Sequence, residues 1–87
     1  MNTTIWKYVL RPHGSIQMPK GAVVLTAQEQ YGEVVIWAWV NPEETEMVER
    51  KFLTPGTGHQ IEEGALQYIS TVQIDGLVFH VFEVLAL

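Results

Sequence analysis

The chain contains no cysteine. A disulfide framework and a thiolate nucleophile are therefore excluded, and a zinc site would have to use His and carboxylates. Basic residues are scarce: five Lys and Arg stand against ten Asp and Glu, for a formal net charge of −5. That deficit argues against wrapping duplex nucleic acid, whose phosphates call for clustered Lys and Arg. Five cations still suffice to line one small anionic ligand. No apolar run approaches the ~20 residues of a membrane helix. The stretch Met1-Asn2-Thr3-Thr4-Ile5-Trp6-Lys7 lacks the basic region and long apolar run of a secretory signal. These absences lead to the expectation of a cytoplasmic protein without a membrane partner.

Apolar residues, by contrast, are plentiful. They make up 47% of the 87 residues, while only 17% are charged. A chain of this length is expected to form a single domain, residues 1–87. A monomer this small buries only about 60–65% of its unfolded surface. Apolar surface in excess of that is commonly hidden between subunits, so a homo-oligomer is expected.

The order of residue types reads as strands. Thr4 to Leu10 is β-branched and aromatic, with Trp6, Tyr8 and Leu10 on one face and Ile5, Lys7 and Val9 on the other. Residues 15–20 form a connector in which Ile16 and Met18 suit a short edge strand before Pro19, which has no N–H for a central ladder. Ala22 to Gln30 and Val34 to Val40 read as two strands joined at Tyr31-Gly32. Val34 to Val40 is apolar on both faces, so it belongs at the centre of the fold or beneath a second subunit. Asn41 is placed to cap one helical turn from Pro42, with glutamates near its amino end. Arg50 to Thr54, Gln67 to Ile74 and Leu77 to Val84 complete six segments, the last two joined by Asp75-Gly76. No helical periodicity is sustained. The expected fold is all-β, a small antiparallel barrel or sandwich of about six strands with at most one short helical turn.

Gly56-Thr57-Gly58-His59 is the most unusual loop. Successive N–H groups of such a loop can form an anion-binding nest, with Thr57 and His59 adding side-chain donors. Arg50, on the strand leading in, would add a bidentate charge for phosphate or carboxylate. The competing reading is a structural turn, because short glycine-rich loops are common punctuation. His80 shares a face with Val78, Phe82 and Val84, as a core histidine does, and His13 sits in a Pro-Gly turn suited to solvent. No pair of histidines has metal-ligand spacing, and no cofactor is implied. Ser15 and Ser70 lie in no nucleophile elbow, and Glu43 to Glu49 reads as a solvated acidic loop, so the chain is not expected to be an enzyme. The aromatics suit a core or an interface, or stacking on a base. Trp37 and Trp39, large for a small core and on one face, favour an interface or a pocket wall.

Seven phrases recur in order along the chain: Ile5-Trp6-Lys7-Tyr8, Met18-Pro19-Lys20-Gly21-Ala22, Trp37-Ala38-Trp39-Val40 with Pro42, Arg50-Lys51-Phe52, Gly56-Thr57-Gly58-His59, Tyr68-Ile69 and Phe79-His80-Val81-Phe82-Glu83. Together they resemble a family of small proteins of unknown function found in phage genomes and some bacteria. The resemblance implies a phage-type protein that binds something of the host's. By analogy of class it suggests sequestering a nucleotide-derived immune signal, such as a cyclic dinucleotide or an ADP-ribose derivative. On that expectation Arg50, Gly56, Thr57, Gly58 and His59 hold phosphate, while Trp6 or Trp37 stacks on a base. The alternative is an inhibitor docking a host protein through Trp37 and Trp39. Convergence of Arg50 and the loop on a concavity favours the ligand, and a flat apolar strand face favours the protein partner.

Overall fold

The computed structural model describes residues 2–11, 14–62 and 64–86. Among the described residues there are seven strands and no helix: β1 (Thr4–Leu10), β2 (Ser15–Pro19), β3 (Val23–Gln30), β4 (Glu33–Val40), β5 (Met47–Leu53), β6 (Ala65–Ile74) and β7 (Leu77–Ala86). They form a three-stranded sheet, ordered β1-β4-β3, and a four-stranded sheet, ordered β2-β5-β7-β6. All named pairs are antiparallel. The two sheets do not close into a barrel, and the fold is a sandwich.

β4, apolar on both faces, and β7 are interior strands of their sheets. Both expected hairpins form. Tyr31 and Gly32 have φ of 53° and 79°, and Asp75 and Gly76 have φ of 52° and 81°. Two successive positive φ values mark the primed turn that matches strand twist, and glycine takes the second position without steric cost.

The strand count and two details differ from the sequence reading. The expected short edge strand forms as the seventh: Ile16 packs against the core, and Met18 is fully buried. Pro19 is tolerated because it ends an edge strand. Pairing with β2 also draws the start of β5 back to Met47, ahead of the expected Arg50. Asn41 does bond forward, its Oδ1 accepting the Glu43 N–H at 3.0 Å and its carbonyl the Glu44 N–H at 3.1 Å. The result is a turn, not a helical turn, because the chain must run straight on into β5. His13 lies outside the described residues.

The core lies between the sheets, from Leu10, Ile36, Ala38, Val40 and Ala27 on one side and Met18, Phe52, Val72 and Val81 on the other. Along one margin β3 approaches β6, and each is bulged there, at Val24/Thr26 and Tyr68/Ser70. Bulges bend a strand and leave a residue out of the ladder. The buried Ser70 hydroxyl fills the gap, accepting the Ala27 N–H at 3.0 Å and sharing a 3.0 Å hydrogen bond with the Thr26 hydroxyl.

Candidate functional site

The register of the three-stranded sheet assigns each side chain to a face. Tyr8, Leu10, Ile36, Ala38 and Val40 turn inward. Ile5, Lys7, Val9, Val35, Trp37 and Trp39 turn outward. Along the outer face the cross-strand rows run Ile5–Trp39–Val23, Lys7–Trp37–Thr26 and Val9–Val35–Gln28, with Glu33 opposite Gln30 beyond them.

Polar groups close one end of this face. Arg11 Nη1 donates to Glu33 Oε2 at 2.7 Å, and Lys7 Nζ donates to Gln30 Oε1 at 2.7 Å. Lys7 and Gln30 flank β4, so their bond crosses over Val35. This accounts for Val35 being buried although it lies outside the core cluster. The other end stays open. Ile5, Trp39, Val23 and Leu25 are 56%, 51%, 50% and 48% exposed, and the first three share a single row. A contiguous exposed apolar row, rimmed by polar groups on one side, is what a docking surface presents. Arg11 is cancelled by Glu33, so among the described residues the one surplus charge on this face is Lys7, in a chain of net charge −5.

A family model matches residues 1–86, spanning both sheets. The chain belongs to DUF7352, a family of domains of unknown function. No curated protein and no solved structure matches it.

In this DUF7352 domain the residues nominated for phosphate are divided between two places. Arg50 projects between the sheets, where its Nε and Nη2 grip the two oxygens of Glu83, the latter at 3.0 Å, and Nη1 donates to the Ala22 carbonyl at 2.8 Å. The Glu83 hydrogen bond holds the guanidinium pKa above its ordinary value, and burial opposes it. The pair borders a cavity of about 360 Å³ with Gln67, Tyr68 and Ile69, where β3 and β6 part. Glu83 is the partner that sequence reasoning missed. Its signal was present: a carboxylate alternating with Val81 and Phe79 on an apolar strand requires a cation nearby.

Gly56-Thr57-Gly58-His59 is tied instead to β7. The Gly56 N–H bonds His59 Nδ1 at 3.3 Å, the Thr57 N–H bonds the Val78 carbonyl at 3.2 Å and the His59 N–H returns to the Gly56 carbonyl at 3.1 Å. Three of the four N–H groups of the supposed nest are thus engaged. The loop's chemistry passes to His80, half-buried, whose Nε2 meets the Thr57 hydroxyl at 2.8 Å and whose Nδ1 meets the Thr71 hydroxyl at 3.0 Å. The Tyr68 hydroxyl extends this line at 2.7 Å from Thr71. Trp6 and Trp37 lie on opposite faces of one sheet, Trp6 beside Ala38 and Trp37 beside Lys7, so the two cannot stack on one base.

A cleft of about 440 Å³ opens at the end of the sandwich, floored by Leu10, Val34, Ile74 and Phe79, with Arg11 and Glu33 at its rim. Among the described residues no group of three or more His, Asp or Glu is placed to hold a metal ion. No helix of the described residues is long and apolar enough to cross a membrane.

Proposed function

We propose that this DUF7352 domain is a non-enzymatic protein-docking module, and that the outer face of β1-β4-β3 is its contact surface. One observation carries the reading: Ile5, Trp39 and Val23 stand half-exposed in a single cross-strand row. An aromatic flanked by aliphatics is the composition from which interface hot spots are made. The occupant is a partner protein that presents an apolar strip with a carboxylate placed to meet Lys7. The phage setting that the family resemblance implies makes a host protein the natural partner.

The test compares wild-type protein with Trp39→Glu and Trp39→Phe. A protein captured by wild type and by Trp39→Phe, lost with Trp39→Glu, and binding directly when purified supports the reading. Equal capture by all three overturns it.

A second reading, sequestration of a small phosphorylated ligand, keeps one favourable observation. The 440 Å³ cleft joins an apolar floor to the Arg11 guanidinium, whose pairing with Glu33 is exposed at the rim and open to exchange for a phosphate, whereas Arg50 is held between the sheets. A thermal-shift series with cyclic dinucleotides and ADP-ribose separates the readings. A ligand at about 100 times its Kd adds roughly 2.7 kcal/mol of stability, and a flat series removes this reading.

A further inference from the structure

The two sheets have four edge strands, and three of them are protected against adding a further strand. β2 is short and ends in Pro19. β3 and β6 are bulged and lie against each other through Ser70. Such devices keep a sheet edge from extending. β1 has none of them. It pairs with β4 alone, over seven residues without a register shift, contains no proline, and is exposed from Thr4 to Lys7. Its single charge, Lys7, is drawn across the sheet face to Gln30 and does not stand along the edge.

We propose that β1 is the site at which a second copy of this chain adds, antiparallel about a two-fold axis, to make one continuous six-stranded sheet. The register follows from two constraints. Facing residues in an antiparallel pair share a sheet face, so the axis must pass through a residue and not between two. Centring on Lys7 sets two ammonium groups opposite each other, which is unfavourable. Centring on Trp6 sets Ile5 against the Lys7 of the second copy. Centring on Ile5 sets Lys7 against Thr3 and Thr4 against Trp6, and joins the two apolar rows end to end. The joined row then runs Val23, Trp39, Ile5 and onward through Ile5, Trp39 and Val23 of the second copy.

The area of the joined face bears on the docking reading. Three strands of about eight residues cover roughly 14 Å by 26 Å, or about 370 Å². A standard protein interface needs about 800 Å² from each partner. Joining two copies doubles the face to nearly that size. The edge carries this inference independently of what covers the face, so a dimer whose face binds nothing removes the docking reading and leaves the edge pairing intact.

The absence of cysteine makes the test clean. In the Ile5-centred register residue 5 faces itself, with Cβ atoms about 4.5–5.5 Å apart, close to the span of a disulfide. Ile5 is exposed, so Ile5→Cys leaves the core intact. The expected results are a concentration-dependent dimer of the unmodified chain by sedimentation, rapid oxidation of Ile5→Cys to a covalent dimer, and slow oxidation of Trp6→Cys. A monomer throughout a micromolar-to-millimolar series overturns the proposal. So does a dimer in which Trp39→Cys cross-links in place of Ile5→Cys, since that marks face-to-face packing, or one in which Trp6→Cys is the fast variant.

Discussion

Removal of the Arg50 guanidinium is the perturbation with the largest calculable effect. Glu83 has only 9% of its side chain exposed and Arg50 21%, so the pair is well withdrawn from water. Arg50→Ala deletes both hydrogen bonds to Glu83 and the one to Ala22, and leaves a carboxylate facing an apolar interior. Breaking a buried pair from one side costs about 3–5 kcal/mol. A chain of this length has about 4–13 kcal/mol of stability in total. Urea denaturation at pH 7 should therefore show Arg50→Ala losing about a quarter of it or more. The double change Arg50→Met with Glu83→Leu should stay within about 2 kcal/mol of wild type, because no charge is left unpaired. A loss below about 1 kcal/mol for Arg50→Ala would match an exposed surface pair and refute the reasoning.

Two further outcomes are expected. The Tyr8 hydroxyl is buried without a hydrogen-bond partner, and burial raises its pKa above the usual 10.0. Tyr8→Phe should leave stability unchanged or raise it by about 1 kcal/mol near pH 7. Because the folded-state pKa is the higher one, wild type should lose stability as pH rises past about 10, and in Tyr8→Phe denaturation curves that loss should be smaller; equal losses would count against the burial. Tyr31 holds a positive φ while almost wholly exposed, so Tyr31→Asn removes no packing and relieves backbone strain. Chemical denaturation should show a gain of roughly 0.5–1 kcal/mol, and a loss would mean that the ring makes contacts its exposure does not suggest.

Much of the fold was legible because strands and turns depend on neighbours in sequence. The apolar run of β4 marked it as central or covered, and Tyr31-Gly32 and Asp75-Gly76 marked both hairpins before any pairing was known. β2 was half-legible: Ile16 and Met18 suggested a strand, and only the pairing of residues 15–19 with residues 47–51 of β5 made it one.

The site was less legible, for a definite reason. Sequence proximity places Arg50 six residues from the Gly-Thr-Gly-His loop, and the natural reading made them one constellation. The register puts the Arg50 side chain between the sheets, against Glu83 from a strand thirty-three residues on, while the loop closes on Val78 and His80. Alternation along a strand shows that two faces differ, but not which face meets the second sheet. The sequence by itself determined the β class, the two primed hairpins and the surplus of apolar residues, all local or compositional properties. The tertiary structure alone decided which charges neutralise each other, which apolar row remains uncovered and which edge lies open, because each depends on contacts between strands far apart in the chain.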